Sequence, residues 1–262
     1  NWESKGRRRF RRLSVGSGNT DRLGGYSPLK KVAIMQPYLF PYLGYWQLIK
    51  AVDQFVLLDD VQYINRGWIN RNRILLNGRD HLFSFSVRKA SQQTAINQRY
   101  FSPDFLLERT KFLRTLHCAY GKAPFFASVY DVIEKSLEFP ADNLARNIGQ
   151  NMKGLAEYLR IATPIVFSSE IVCNKALKAQ EYILELNRQL AGEMYINLSG
   201  GMSLYDRDEF RRNGIQLRFI RADEVEYRQF GQPFVPQLSV IDVMMFNSRD
   251  EINTLLDRYT LI

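Results

Sequence analysis

Carboxylates, arginines and tyrosines follow several short apolar runs in this chain, and these residue types support proton transfer and anion binding. Asp59 and Asp60 come directly after the apolar run 54–58. A carboxylate at the end of a strand can accept a proton, bind a ribose hydroxyl or hold a metal ion. An Asp-Asp pair is also typical of a plain turn or helix cap, so both interpretations stay open.

The segment 62–73 is the densest in groups that recognise anions and rings. Gln62, Trp68, Asn70 and Arg71 lie in it, among three arginines and three asparagines. A guanidinium binds phosphate or carboxylate through two parallel hydrogen bonds, and an aromatic ring stacks on planar or sugar rings. The segment therefore predicts an anion or polyol site. A solvated edge strand, whose charges discourage aggregation, is the alternative.

The register of this segment decides which side chains share a surface. If a strand starts near Trp68, successive side chains alternate between its two faces. Trp68, Asn70 and Asn72 then share one face, opposite Ile69, Arg71 and Arg73. That register would place a polar wall beside the aspartate pair.

Tyrosines and prolines fill the turn 36–43, between the apolar run 32–35 and a helical segment that starts near Gly44. In an open α/β sheet, a turn between a strand and a helix lies at the carboxyl end of the strand, where ligands bind. Gln36, Tyr38 and Tyr42 are therefore candidate substrate contacts. Packing of these rings in the core is the alternative.

Two more polar loops follow predicted strands. Ser169 lies in the first, where capping of the next element competes with a binding role. Ser199 and Gly200 open the second, which contains paired glycines and ends near Tyr205. Backbone N–H groups beside glycine can bind oxyanions, although this loop matches no known phosphate-binding motif. Four strand ends thus carry polar or glycine-rich loops, which favours one shared site.

The elements that must position these loops alternate between strands and helices. Asn77-Gly78 between apolar runs predicts a β-hairpin. The C-terminal region begins with Ser239 and Asp242 at the spacing of a capping box, which favours capping over catalysis. The predicted strands are 31–36, 54–58, 164–167, 194–198 and 215–220, and the predicted helices are 44–52, 102–117, 126–137, 141–160, 175–191 and the region from 239. This order predicts an α/β fold, a Rossmann-like and mostly parallel sheet with an inserted β-hairpin and a helical subdomain.

Charge and cysteine content limit the functional classes. Residues 1–30 hold eight basic and two acidic residues, so they contribute +6 of the net charge of +9. We expect them to form a disordered basic tail, or to be foreign to the natural protein, beside one α/β domain over 31–262. The mildly basic body does not favour nucleic acid as a partner. Two cysteines, Cys118 and Cys173, fit no metal spacing, and no apolar run is long enough for a membrane span, so we expect a cytoplasmic protein without a bound metal.

These motifs together resemble the WbqC-like family. The matching segments are 35–45, 59–63, 68–72, 168–170, 199–201 and 238–242, which span almost all of residues 31–250. The resemblance implies a bacterial protein of surface-polysaccharide or related biosynthesis, acting on small molecules in a nucleotide-sugar or acyl-transfer context.

The combined prediction is a transferase that moves an acyl or aminoacyl group onto an amino-sugar or similar amine. Asn70 and Arg71 orient the substrate, and Asp59 or Asp60 accepts the proton of the amine. The expected partners are a small-molecule substrate and an acyl donor or carrier protein. A pre-activated donor requires no cofactor.

The segment 41–49 is also similar, more remotely, to nucleotidyltransferase-type Rossmann domains and pantothenate synthetases. In those families a histidine after the glycine contacts phosphate, and here Tyr45 stands at that position as a candidate catalytic hydrogen-bond donor. An ATP-dependent ligase or nucleotidyltransferase that uses ATP and Mg²⁺ in the same pocket is therefore an alternative. A non-catalytic protein that binds glycans or nucleic acid is a third.

Overall fold

The computed structural model of the protein describes residues 28–138, 142–231 and 233–262, so most of the predicted basic tail lies outside the described residues. The strands are β1 Lys31–Met35, β2 Gln54–Leu57, β3 Arg71–Leu76, β4 Arg79–Ser84, β5 Ile165–Phe167, β6 Met194–Leu198, β7 Gln216–Ala222 and β8 Tyr259–Leu261. The helices are α1 Leu43–Lys50, α2 Phe105–Tyr120, α3 Phe126–Ser136, α4 Leu144–Tyr158, α5 Ala179–Gln189, α6 Arg207–Arg212, α7 Val240–Phe246 and α8 Arg249–Leu256. Short 3₁₀ helices follow β5 and β6.

Six strands form the main sheet in the order β5-β2-β1-β6-β7-β8, and all neighbours are parallel except β7 and β8. Alternate side chains of β1 enter two different cores, because successive residues of a strand point to opposite faces. Ala33 packs in the core that contains α1, α4, α7 and α8. Val32 and Ile34 pack in the core that contains α5 and α6. Helices thus cover both faces, which confirms the predicted α/β fold.

β1 and β6 are parallel neighbours, but the chain adds its next strand on opposite sides of this pair. From β1 the chain passes through α1 to β2 on one side, and from β6 it passes through α6 to β7 on the other. The connections therefore leave the sheet in opposite directions and open a crevice at the carboxyl ends of β1 and β6. Such a reversal is where open α/β sheets bind ligands.

The inserted hairpin has the turn that its sequence predicts. Asn77 and Gly78 both have positive φ, at 53° and 72°. A two-residue turn with both φ values positive matches the right-handed twist of the flanking strands. The hairpin and the helices α2–α4 pack on the same core as α1, so they are part of one α/β body.

The prediction missed two short elements. The first is β8, a strand that follows the one predicted as the last, at 215–220. It pairs antiparallel with β7 and forms the edge of the sheet. Its three residues are too few to show a periodic pattern. The polar helix α6 has little apolar periodicity, and it starts where the side chain of Asp206 accepts hydrogen bonds from the backbone of Asp208 and Glu209.

Within the described ranges, every helix is too short or too polar to span a lipid bilayer.

Candidate functional site

A strained turn at the carboxyl end of β1 places the tyrosines of the site. Phe40 is fully buried and has a φ of 48°, a conformation that a bulky residue keeps only when its surroundings hold it there. The buried amide of Asn72 donates to the carbonyls of Leu39 at 3.2 Å and Phe40 at 2.5 Å, and Ser239 Oγ donates to the Phe40 carbonyl at 2.8 Å. The hairpin and the start of α7 therefore hold the turn from two sides. Tyr38 and Tyr42 lie on either side of it.

Tyr38, Trp68, Arg71 and Arg73 form what we call the aromatic–arginine cluster. The Tyr38 and Trp68 ring centroids are 6.3 Å apart. The guanidinium carbons of Arg71 and Arg73 lie 5.1 and 5.4 Å from the centroid of Trp68, within cation–π range. Trp68 remains 43% exposed. The cluster is thus an accessible surface at the carboxyl end of β1.

The predicted alternation holds for Arg71, Asn72 and Arg73, but the predicted face of Trp68 is wrong. Trp68 lies with Arg71 and Arg73, and Asn72 points into the core. The alternation does not apply to Trp68, because β3 begins only at Arg71 and Trp68 lies in the preceding turn.

The two arginines differ in how their charge is compensated. Arg73 forms an ion pair with Asp80 at 3.3 Å. Arg71 donates to the carbonyl of Arg66, and no carboxylate in the described part of the chain pairs with it. The Nε atoms of both arginines are buried and have no acceptor among the described residues. The cluster therefore carries positive charge that the described chain does not neutralise.

Burial controls the protonation of the neighbouring tyrosines. It raises the pKa of Tyr38 well above the usual range, Tyr42 raises it further, and Arg73 and Arg71 offset part of the increase. Burial also raises the pKa of Tyr42. Both phenols are therefore protonated at neutral pH and act as hydrogen-bond donors rather than as bases.

Three of the predicted site residues have structural partners instead. Tyr45 is 2% exposed and donates to the carbonyl of Gln36 at 2.6 Å, so it fixes the turn and does not face a ligand. Asn70 is buried and donates to the Phe85 carbonyl at 2.7 Å. Gln62 is exposed, and its amide donates to the Gln92 carbonyl at 2.8 Å.

Asp59 joins the ends of β2 and β5. It is fully buried, and its carboxylate accepts hydrogen bonds from the Ser169 backbone at 2.9 Å and Ser169 Oγ at 2.7 Å, with Ser168 Oγ 3.1 Å away. An incoming amine has no access to a carboxylate that is covered in this way. The prediction of Asp59 as a base is therefore corrected to a structural role, and Ser169 shares that role.

Asp60 is the more accessible carboxylate of the pair, but it is bound as well. It accepts from Ser168 Oγ at 2.6 Å, Lys175 Nζ at 2.8 Å and the Tyr182 hydroxyl at 2.6 Å. Burial raises the pKa of Asp60, but the hydrogen bonds from Lys175, Ser168 and Tyr182 together outweigh it, so the pKa lies below its usual value. A carboxylate with a lowered pKa is a weak base near neutral pH. Our proposal below therefore uses neither aspartate as the base.

The loop after β6 differs from the predicted oxyanion cradle. Ser199 and Gly200 belong to a 3₁₀ helix, and neither has positive φ. The Tyr205 hydroxyl lies 3.0 Å from that of Tyr195, and Asn197 Nδ2 donates to it at 3.1 Å. Tyr205 therefore supports the end of β6, and Ser199 and Gly200 directly follow that strand.

A cavity of about 490 Å³ adjoins the start of α1, within the size range of small-molecule sites. Tyr42, Gly44, Tyr227 and Leu238 are among its lining residues. The rings of Tyr42 and Tyr38 have centroids 6.3 Å apart, so the cavity is next to the aromatic–arginine cluster. A larger cavity of about 600 Å³ lies between α3, α4 and the start of α8, away from the carboxyl ends of the strands. We therefore place the candidate site at the cavity beside α1.

Asp242 supports the wall of this cavity, which corrects its predicted role in a capping box. Ser239 caps α7 as predicted, through a bond from the backbone of Ile241. Asp242 instead accepts from the hydroxyls of Tyr120 and Tyr227 and from Gln229 Nε2, each at 2.7 Å. Burial raises the pKa of Asp242, although these three donors oppose the increase.

Sequence reasoning missed several residues of the site. Glu224 and Glu226, which line the cavity, follow the end of β7. The other loops were located by looking for polar residues directly after a parallel strand. The same rule would also have found Glu224 and Glu226. No group of three or more His, Cys, Asp or Glu side chains suited to a metal ion occurs among the described residues.

Comparison with known proteins gives two matches. The model of the WbqC-like protein family matches residues 36–254. A protein of Mycobacterium tuberculosis described as uncharacterized protein Rv1507c is 28% identical over 229 residues, which cover 84% of this chain and 94% of the relative. No solved structure matches the chain.

Proposed function

The chain belongs to the WbqC-like protein family, and from this premise we propose that it is a biosynthetic transferase. It moves an acyl or aminoacyl group onto an amino-sugar or a similar amine in bacterial surface-polysaccharide or related metabolism. The crevice at the carboxyl ends of β1 and β6, together with the cavity beside α1, is the proposed reaction site.

The uncompensated charge of Arg71 beside the exposed ring of Trp68 carries the proposal. A substrate that combines phosphate or carboxylate with a ring would bind the guanidinium and contact the indole at once. Acyl donors that carry a nucleotide have this combination, and nucleotide-sugars share it and can therefore probe the site. Arg73 adds positive charge, and Tyr38 and Tyr42 supply neutral hydrogen-bond donors at the border between the cluster and the cavity.

The proposed reaction is nucleophilic acyl transfer. The unprotonated amine nitrogen of the acceptor attacks the carbonyl carbon of the donor and forms a new C–N bond. The bond between that carbon and the leaving group of the donor then breaks, and the leaving group departs with the electron pair. The nitrogen releases one proton to a base. A pre-activated acyl donor supplies the free energy, so this reaction consumes no nucleoside triphosphate.

The experiment is a binding measurement on the whole chain with UDP-glucose as the anionic ring-containing probe. Isothermal titration should detect binding, and Arg71→Ala should weaken it roughly tenfold to a hundredfold, because a hydrogen bond to a charged group contributes about 1.5–3 kcal/mol. The matched control is Arg79→Ala, which removes an exposed arginine of the same hairpin.

Equal weakening by both substitutions would show a general charge effect and would contradict the proposed site. Stabilisation by ATP with Mg²⁺, but by no nucleotide-sugar, would favour the ligase alternative. The effect of ATP and of nucleotide-sugars is read from the rise in stability that a ligand of the native state causes by mass action.

A further inference from the structure

Hydrogen-bond acceptors without donors line the cavity beside α1. Asp223, Glu224 and Glu226 form the wall that follows β7. Asp223 lies 3.6 Å from Arg258, whereas Glu224 and Glu226 have no ion-pair partner in the described part of the chain. None of the described residues that line the cavity is a lysine, an arginine or a histidine. The cavity therefore has an excess of negative charge, opposite to that of the aromatic–arginine cluster.

Gln47 gives an independent indication of the kind of ligand that the cavity binds. This glutamine lines the cavity and is only 1% exposed. Its Nε2 donates to the carbonyls of Leu255 and Arg258, but its Oε1 accepts no hydrogen bond from any described residue. The Arg258 carbonyl also accepts from the Asp223 backbone, so the carboxamide lies at the acidic wall. A buried acceptor without a partner is costly, and a ligand that donates hydrogen bonds would satisfy it.

The rest of the lining is apolar or neutral. Leu43, Val225, Phe234 and Leu238 supply apolar surface, and the Tyr227 hydroxyl is held by Asp242. An apolar surface with a few acceptors at one wall suits a small molecule that carries an amine, since each ammonium N–H donates to an acceptor and the remainder packs on the apolar side.

We propose that this cavity binds the amine-bearing acceptor, with Glu224, Glu226 and the Gln47 carboxamide recognising its ammonium group. This inference rests on the proposed transferase function and names the subsite of one of its two substrates. Tyr42 lines the cavity and also packs near Tyr38, so an acceptor bound here lies next to a donor bound at the aromatic–arginine cluster. The two subsites select their ligands by opposite charge.

The carboxylates also receive the proton in the transfer. The bound ammonium first loses one proton to the glutamate wall or to solvent, and its lone pair becomes free to attack the donor carbonyl. As the C–N bond forms, the nitrogen gives its second proton to a glutamate or to solvent, and the leaving group departs with its electron pair.

The test uses the whole chain and glucosamine as the amine probe, with N-acetylglucosamine and glucose as matched probes that lack an ammonium group. We expect glucosamine to bind roughly tenfold or more tightly than either neutral sugar in isothermal titration at pH 7, because only it forms charge-assisted hydrogen bonds. The double substitution Glu224→Gln and Glu226→Gln should remove this preference. Glu181→Gln, at an exposed glutamate of α5, should leave it unchanged.

Arg71→Ala separates this inference from the proposed function. It should weaken UDP-glucose binding and leave glucosamine binding unchanged, while the double glutamine variant should do the reverse. Failure of UDP-glucose to bind, with glucosamine still selected by the glutamates, would overturn the proposed donor site only. Absence of glucosamine binding, equal binding of all three sugars, or a preference that survives the double substitution would overturn the amine subsite.

Discussion

The two halves of the carboxyl edge of the sheet are built in contrasting ways. At the ends of β2 and β5, the carboxylates of Asp59 and Asp60 accept hydrogen bonds from serines, a lysine and a tyrosine. At the end of β1, Arg71 has no carboxylate partner among the described residues, and across Tyr38 and Tyr42 the glutamates of the cavity have no cationic partner in the same part of the chain. Polar groups that satisfy one another hold strands together, whereas groups left without a partner are available to a ligand.

This contrast changes how the aspartate pair is interpreted. A carboxylate after a parallel strand is a reasonable catalytic candidate by position alone. Its hydrogen bonds decide whether it can act, because a carboxylate surrounded by donors is stabilised in its charged form and loses basicity. The structural half and the ligand-binding half can therefore be separated by substitutions that affect stability or binding, but not both.

The largest expected effect is on the structural half. Asp59→Ala should lower the free energy of unfolding by about 3 kcal/mol or more, because it leaves the backbone N–H and the hydroxyl of Ser169 without an acceptor at the junction of β2 and β5. Urea denaturation followed by circular dichroism measures the change. Asp59→Asn keeps an acceptor oxygen and should cost clearly less. If the alanine variant is as stable as the wild type, the end of β2 is not held by this carboxylate.

Asn72→Ala should affect both halves, since its amide holds the strained turn that carries the tyrosines. We expect a loss of about 2 kcal/mol in the free energy of unfolding, because the Leu39 and Phe40 carbonyls lose a buried donor. UDP-glucose binding should weaken as well, when Tyr38 and Tyr42 lose their fixed positions. A variant that is destabilised but binds normally would show that the turn does not position the site.

Trp68→Ala should act on the ligand-binding half alone. The ring is 43% exposed, so its removal should change the free energy of unfolding by only about 0.5 kcal/mol. Affinity for UDP-glucose should fall roughly tenfold, through loss of the ring surface and of the stacking that orients Arg71. Calorimetric titration measures the affinity, and Trp68→Phe should restore part of it. Unchanged affinity would remove Trp68 from the site.

The smallest effects are opposite pH dependences of two carboxylates. The lowered pKa of Asp60 means that its contribution to stability is present above the unfolded value of 3.8 and is lost as the pH falls through the lower folded value. The raised pKa of Asp242 gives the reverse, a contribution present below 3.8 that declines as the pH rises through the higher folded value. Asp60→Asn should therefore flatten the loss of stability in acid, and Asp242→Asn should flatten the decline above pH 4. The free energy of unfolding is measured from pH 3 to 7 for the wild type and both variants. If the two substitutions change its slope against pH with the same sign, one of the two pKa assignments is wrong.

The sequence predicted the framework of the fold well because its signals are local. The run at β6 matches the strand residue for residue, and Asn77-Gly78 gives the hairpin through its own backbone preference. Trp68 and Arg71 could be selected as candidates because their side chains are distinctive by type. Such features depend on neighbours in the chain, which the sequence displays directly.

The remainder depends on partners that are distant in the chain. Asp59 meets Ser168 and Ser169, and Gln47 meets the end of α8, so neither burial nor pairing could be inferred from residue type. The face of Trp68 was predicted wrongly because the start of β3 depends on the turn before it. Fold follows from periodicity, whereas the choice between a bound and a free carboxylate follows from tertiary contacts.

The central position of β1 also has a consequence for how the protein folds during synthesis. β1 pairs with β2 nearby, but its other neighbour is β6, where Lys31 lies opposite Met194. Parallel pairing over so long a separation closes a large loop and is slow, since its entropy must be lost before the contacts form. A nascent chain that ends before β6 exposes one edge of β1 and has no crevice. The proposed binding site thus forms only after most of the chain has left the ribosome, and chaperone protection of that edge would matter most in this interval.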